Sequence, residues 1–415
     1  MPTPDSFSLV DELHERVIAA YETAGNDWPV NVANVRQAAR SATESLPEFK
    51  EFWSQQRNEI VERVVDRIIG FGPLEPLLKD PTITEIMVNG CQAVFVERAG
   101  QLSRAAVNFS SETEVLQIIN RMVGAVGRRI DESSPLVDAR LPDGSRVNAI
   151  IPPLSKVGPV LTIRRFPAEF WTLAKLAPGA LSAAMLEFLR ACVLSKQNMV
   201  IAGGAGTGKT SLLNALAATV PPAERLITIE DTAEIRLSHP HLVPLEARPP
   251  NIEGAGEVTI RTLLKNALRM RPDRIIIGEV RSGEALDMLQ AMNTGHRGSL
   301  TTVHANSSRE ALFRLETMAL MAEVGLPLAA IREQIKSALN YVIQVERLSD
   351  GRRVVAAISE MGLRQETEED YPYRLRPLFY YDKIQQAFIP AGYLPERMAI
   401  FAEAGLAVDS RWFGL

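Results

Sequence analysis

The sequence predicts an α/β protein: a mostly parallel sheet with covering helices, preceded by a smaller α+β domain and a helical N-terminal region. Three observations predict it. From residue 181 onward, short apolar runs alternate with helix-length segments, the pattern of buried parallel strands and their crossovers. Between residues 61 and 165, β-like runs are separated by turn signals and one helical stretch. A complete phosphate-loop motif stands directly after one apolar run, at residues 203–210.

With 415 residues the chain has room for several domains, at roughly 100–200 residues each. Its 46 % apolar and 23 % charged content is that of a globular protein and excludes a disordered or collagen-like chain. The 45 Lys+Arg against 50 Asp+Glu leave a net charge of −5, which argues against a dedicated nucleic-acid-coating protein. The 2 cysteines, Cys91 and Cys192, lie far apart and can build neither a disulfide framework nor a CxxC zinc site. They read as reduced thiols of a cytosolic protein. The start, MPTPDSFSLVDELHE, has early acidic residues and no apolar core of a secretory signal. No stretch reaches the ~18 uninterrupted apolar residues of a membrane span. Work at a membrane would therefore require a docking partner.

Along the chain, Leu9, Leu13, Val17 and Tyr21 recur every four residues and make one helical stripe. Residues 25–29 break it. A second helical pattern runs from about residue 47 to 69, with Phe49, Phe52, Ile60, Val64 and Ile68 facing inward. Such a stripe packs within its own chain or binds a partner helix. Gly70-Phe71-Gly72-Pro73 punctuates, and strands are expected at 84–88, 93–97, 147–151 and 160–164, with a helix over 112–126. Asn89-Gly90, Ala99-Gly100 and Pro142-Asp143-Gly144 mark the turns. Phe166-Pro167 opens a linker. Buried parallel strands are then expected at 199–202, 226–229 and 274–277. The tail after Gly351 is less regular, with an acidic cluster at 366–370 and aromatic residues over 371–381. The expected domains are a helical region 1–60, an α+β domain 61–165, a P-loop domain 166–350 and a C-terminal extension 351–415.

Gly203-Gly204-Ala205-Gly206-Thr207-Gly208-Lys209-Thr210 satisfies G-x-x-x-x-G-K-[ST] at every position. The glycines let the backbone curl so that successive N–H groups face phosphate oxygens. The helix beginning near Lys209 adds its positive dipole end. Lys209 can reach the β- and γ-phosphates and Thr210 can ligate Mg²⁺. An apolar run over 198–202 leads in and a helical stretch from Ser211 leads out. The bland alternative is a glycine-rich turn with no ligand. Specific GTP binding usually brings an NKxD element, and the chain has no Asn-Lys dipeptide, so ATP is the expected nucleotide.

Two acidic clusters follow apolar runs: Glu230, Asp231 and Glu234 after the first, Glu279 after the second. In an open parallel sheet both fall beyond the carboxyl ends of strands, where ligands bind. Glu279 follows Gly278, where the common pattern has an Asp directly after the apolar run. Of the 5 histidines, His296 and His304 lie in one segment, and a His beside phosphates can donate a hydrogen bond and report a γ-phosphate. His14, His239 and His241 read as histidines satisfied by nearby backbone. No His, Asp and Glu set has metal-ligand spacing. Arg140, Arg146, Arg164 and Arg165 precede the P-loop domain and could clamp phosphates bidentately, or be ordinary surface charge.

Taken together, GGAGTGKT, ITIEDTAEI and RPDRIIIGEVRSGEALDMLQAMNTGHRGSLTTVHANS resemble the secretion ATPases of type II and type IV systems. Within them the chain is most similar to the CpaF/TadA group, which powers tight-adherence (Flp) pilus assembly. GPLEPLLKDPTITEIMVNG, DARLPDGSRVNAIIPP and LTIRRF extend the resemblance over about residues 61–350. It implies a RecA-like P-loop core in which Lys209 and Thr210 belong to Walker A, with Gly203 to Gly208 and Ser211 around the phosphates. Glu234 would polarise the attacking water, and Glu230 and Asp231 would support Mg²⁺ and its waters. Glu279 would be the Walker B acid, where this family normally lacks the Asp, and His304 would sense the γ-phosphate. Arg140, Arg146, Arg164 and Arg165 become nucleotide contacts by the same resemblance. The pilus-extension and type II branch commonly carries a four-cysteine metal module, which 2 cysteines cannot supply.

The expectation is a cytosolic, Mg²⁺-dependent ATPase forming a hexameric ring of identical subunits. It would attach peripherally to the inner membrane through a platform protein that extracts pilin, without direct nucleic-acid contact. The alternatives are a DNA- or protein-transfer ATPase of a type IV secretion system, a RecA-like nucleic-acid motor, and a nucleotide-binding scaffold without turnover.

Overall fold

The computed structural model describes residues 6–24, 32–47, 54–98, 100–165, 172–248, 255–362 and 372–415, with residues 49, 52 and 250. The expected break at 25–29, the linker opening at Phe166-Pro167, the acidic cluster 366–370 and Tyr371 lie outside them. The chain divides into two units, Met1–Ala168 and Glu169–Leu415.

The first unit begins with three helices, α1 (Ser6–Ala24), α2 (Val32–Ser45) and α3 (Ser54–Ile68). Leu9, Leu13 and Val17 of α1 are buried with Val35 and Ala39 of α2 and Ile60, Val61 and Val64 of α3. The α1 stripe therefore packs within its own chain. Helix α3 starts at Ser54, not near residue 47, although Phe49 is buried in the same core. A short helix α4 (Glu75–Lys79) leads into β1 (Ile83–Asn89), β2 (Ala93–Arg98), β3 (Gln101–Arg104), helix α5 (Glu112–Gly124), β4 (Leu136–Arg140), β5 (Arg146–Ile150) and β6 (Val160–Arg164). The sheet is antiparallel throughout, in the order β3-β2-β1-β6-β5-β4. Val115, Ile118, Ile119 and Met122 lay α5 on it. The hydroxyl of Ser111 accepts the Glu114 N–H and starts that helix. At the β1–β2 turn Gly90 has φ +65°, and a Cβ there would stand 2.3 Å from the Val157 carbonyl oxygen.

The second unit opens with α6 (Leu173–Ala180) and α7 (Ala183–Leu194). Then follow β7 (Met199–Gly203), α8 (Lys209–Ala217), β8 (Leu226–Glu230), β9 (Leu242–Glu246), α9 (Ile260–Ala267), β10 (Arg274–Ile277), α10 (Glu284–Asn293), β11 (Leu300–His304), α11 (Ser308–Leu320), α12 (Leu328–Ala338) and β12 (Tyr341–Arg347). The sheet runs β15-β14-β13-β12-β7-β11-β10-β8-β9. From β12 to β9 every pair is parallel, as expected for the core. Every residue of β7, β8 and β10 is buried. No helix among the described residues is long and apolar enough to cross a membrane.

The tail differs from its irregular reading. β13 (Arg353–Met361), β14 (Leu375–Asp382) and β15 (Ala387–Pro390) continue the same sheet as an antiparallel meander, followed by α13 (Met398–Glu403). Phe188 of α7 is the hub of this face. Its ring centroid lies 5.4 Å from Tyr341, 5.6 Å from Phe379, 5.9 Å from Phe401 and 5.4 Å from Phe413. The last three of these rings come from the tail, which is thus part of the core. Phe413→Ala should cost about 3–5 kcal/mol of unfolding free energy. Urea titration of the full chain measures it, and an unchanged midpoint would remove the tail from the core.

Candidate nucleotide site

The loop after β7 is built for a tight curl. Gly203 closes the strand with β11 on one side and β12 on the other. A Cβ on Gly203 would lie 2.6 Å from the Val345 carbonyl oxygen and 2.7 Å from Thr207 Oγ1, so only glycine fits. Gly206 and Gly208 take φ +68° and +94°, the left-handed region. Thr207 Oγ1 donates to the Gly204 carbonyl at 3.0 Å, and Lys209 Nζ donates to the same oxygen at 2.8 Å. No side chain caps the N-terminus of α8, which begins at Lys209 with Thr210 and Ser211 in its first turn. Gly203, Gly204, Ala205, Gly206, Thr207, Gly208, Lys209, Thr210 and Ser211 therefore form one strand–loop–helix corner with the shape of an anion cradle.

The neighbouring strand ends bring the acidic and histidine residues to that corner. His304, the last residue of β11, is in register with Gly203. Lys209 Nζ lies 3.5 Å from both ring nitrogens of His304, and His304 Nε2 lies 3.3 Å from Glu279 Oε1. The Glu279 turn is pinned to β11: Thr302 Oγ1 donates to the Gly278 carbonyl at 2.7 Å and the Val280 N–H to the Thr302 carbonyl at 3.1 Å. Glu234 Oε2 is 3.5 Å from Thr210 Oγ1. Arg281 donates to Glu279 Oε2 at 2.7 Å and sits 3.4 Å from Asp231 Oδ2. Arg281 escaped the sequence reading, although its place two residues beyond Glu279 on the same turn was the available signal. Burial first, and then the Lys209 charge, hold the His304 imidazole below its ordinary pKa, so it faces Lys209 as a neutral ring.

Glu230 is placed differently from the other acids. It is buried, and its Oε1 accepts the N–H groups of Glu234 and Ile235, both at 2.9 Å. Its Oε2 is buried and has no hydrogen-bond partner among the described residues. In this geometry it holds the turn that carries Glu234. The same packing accounts for Gly278, since a Cβ there would lie 2.8 Å from Glu230 Cγ. An Asp after the β10 run would collide with Glu230.

Of the four arginines, three form a row. Arg140 is paired across strands with Arg146, and Arg146 with Arg164. Like charges directly opposite one another on a sheet repel. Arg164 also faces Glu85, at 3.6 Å. Arg165 is set apart: its guanidinium binds the carbonyls of Asp80 and Ile83. All four belong to the first unit, whereas the phosphate loop belongs to the second. His239 contacts the Pro221 carbonyl, His241 contacts Arg225 and His296 contacts the Ala291 carbonyl, all away from the loop.

A cavity of about 300 Å³ adjoins the loop, lined among others by Leu176, Leu181, Thr207, Ser211, Val345 and Arg353. Mostly apolar and open to the phosphate loop, it suits the base and ribose of a nucleotide. The described residues contain no cluster of three or more His, Cys, Asp or Glu that could hold a metal by itself. The Thr210 hydroxyl and the Glu234 carboxylate are hard oxygen donors, which fit Mg²⁺ shared with phosphate oxygens.

Residues 68–369 match the family described as type II/IV secretion system protein. The chain is similar to the putative conjugal transfer protein Rv3659c of Mycobacterium tuberculosis, 40 % identical over 299 residues, covering 70 % of this chain and 84 % of that protein. It is also similar to the conjugal transfer protein TrbB of Rhizobium radiobacter, 37 % identical over 297 residues, covering 69 % of this chain and 86 % of that one. The ATPase DotB of Yersinia pseudotuberculosis shares the fold, with a TM-score of 0.51 at 20 % identity, over 70 % of this chain and 78 % of that one.

Burial pushes the Glu230 carboxyl from 4.5 up to about 7, with the charges of Glu234 and Glu246 adding to it and the two backbone N–H bonds opposing. The folded state thus keeps a proton that the unfolded chain gives up near pH 4.5. The stability this group contributes is complete below pH 4.5 and is lost as pH rises through about 7. The loss is on the order of 3 kcal/mol. Glu230→Gln should flatten that slope in urea titrations of the nucleotide-free protein between pH 4.5 and 7.5; a slope equal to the wild-type one would contradict the assignment. Cradle, converging acids and the match over residues 68–369 together place the chain in the type II/IV secretion system protein family, as one of its ATPases.

Proposed function

We propose that this secretion-system ATPase is the Mg²⁺-dependent motor of a tight-adherence (Flp) pilus assembly machine, working as a hexameric ring at an inner-membrane platform protein. The observation that carries the enzymatic reading is the convergence of Lys209, His304, Glu279 and the Thr210–Glu234 pair at the end of β7. The pilus assignment rests on the sequence resemblance to the CpaF/TadA group.

In this reading the phosphate tail of ATP lies in the loop and its base in the adjoining cavity. Lys209 gives up the Gly204 carbonyl for the β- and γ-phosphates. His304, between Lys209 and Glu279, is placed to donate to or sense an occupied γ-position. Glu234 orients the attacking water and accepts its proton. Thr210 would hold Mg²⁺, with Glu234, Glu279 and Asp231 placed to support its waters, and the ion would supply charge neutralisation to the phosphates. Glu230 holds the turn beneath them. By the resemblance to the family, Arg140, Arg146 and Arg164 are carried over as candidate phosphate contacts. Glu234→Gln should bind Mg·ATP normally while turnover falls by roughly 10²–10⁴-fold, and Lys209→Ala should lose both; full turnover in either variant would sink the mechanism.

The similarity to conjugal transfer proteins favours a second reading, a type IV secretion ATPase that moves DNA or protein. Affinity purification of the full chain from solubilised membranes separates the two. A multispanning platform protein together with pilin supports the pilus motor. Recovery of a DNA-processing transfer complex supports the alternative.

A further inference from the structure

The hairpin between β12 and β13 reaches back to the phosphate loop through one side chain. Arg353, the first residue of β13, donates from Nε to the carbonyl oxygen of Gly206 at 2.9 Å. Its stem passes over Gly208, where a Cβ would stand 3.4 Å from Arg353 Cδ. The hairpin is itself held. Asp350 accepts the Arg352 backbone N–H at 2.9 Å and the Arg352 Nε at 2.7 Å, and Gly351 turns the chain at φ +88°. Arg353 is thus presented to the loop from a fixed strand end.

A trans peptide group is planar, with its C=O and N–H pointing opposite ways. Whatever holds the Gly206 carbonyl therefore sets the direction of the Thr207 N–H. Gly206, at φ +68°, is free to adopt many backbone conformations, and a glycine-rich loop left alone would have to be ordered by its ligand. A guanidinium on the carbonyl end removes that freedom beforehand. It also polarises the amide, which makes the N–H at the other end a stronger donor. Loop N–H groups are the donors that bind phosphate.

We propose that Arg353 is a positioning residue of the phosphate loop: by fixing the Gly206–Thr207 peptide group it preorganises the loop for the triphosphate and ties nucleotide affinity to the C-terminal strand meander. The inference rests on the nucleotide reading of the loop. Arg353 is exposed, so removing it leaves the folded core intact.

The test is calorimetric titration of the full chain with Mg·ATPγS, together with steady-state ATPase kinetics, on wild type, Arg353→Ala and Arg353→Lys. Loss of one charge-assisted hydrogen bond should weaken binding about 10-fold in Arg353→Ala and raise KM by a similar factor, with kcat little changed. Arg353→Lys should recover part of the affinity, and the melting temperature without nucleotide should be the same in all three. Wild-type affinity in Arg353→Ala overturns the proposal, as does a loss of affinity matched by a drop in the nucleotide-free melting temperature. A wild-type protein that does not bind Mg·ATPγS overturns the nucleotide reading beneath it.

Discussion

The close approach of β12 to the end of β7 is the constraint on which the site depends. The Val345 carbonyl leaves no room for a side chain at Gly203. The strand must therefore end in glycine, and the chain turns there, between β11, whose last residue stands level with it, and β12, which runs on to Arg347. That is why His304 lies beside Lys209 and why the hairpin after β12 lies beside the loop. The loop's conformation is imposed by the sheet, and the charged groups are consequences of which strands flank it.

A second constraint acts one strand further on. Glu230 and Gly278 share a space that holds one side chain. Placing the carboxylate on β8 lets it bind two successive backbone N–H groups, which an acid at position 278 would not obtain without displacing it. The result is a buried, raised-pKa carboxyl behind the site and a more accessible acid, Glu279, in front of it.

The legible parts of the fold were those where burial is one-sided or complete. β7, β8 and β10 read directly as strands because all their residues are buried and all are apolar apart from Thr228 and the end residues Glu230 and Arg274. β11 was hidden because Thr301 and Thr302 look polar, yet both are buried, with the Thr302 hydroxyl satisfied by the Gly278 carbonyl. β3 has four exposed residues and so no alternation to detect. The meander after residue 351 was missed because Arg376, Pro377 and Asp382 interrupt the apolar pattern of β14, whose Phe379 is buried against Phe188, far away in the chain. At the site, residue types and spacing pointed to Lys209, Thr210, Glu234, Glu279 and His304. Spacing carries no information on packing, so the inward turn of Glu230 and the contacts of Arg281 and Arg353 were out of its reach. The arginine cluster was visible as a cluster; its cross-strand register, which sets Arg165 apart from the other three, was not.

The order of strands in the larger sheet bears on how the protein is made. β7 lies between β11 and β12, which are synthesised about 100 residues and more after it. A nascent chain that has left the ribosome only as far as β10 holds a wholly apolar β7 with neither neighbour in place. Its phosphate loop has no level strand end to define it until Leu300–His304 emerges. The ligand-binding corner is therefore among the last features of this unit to mature, and until then the exposed strand is a surface that chaperones would shield.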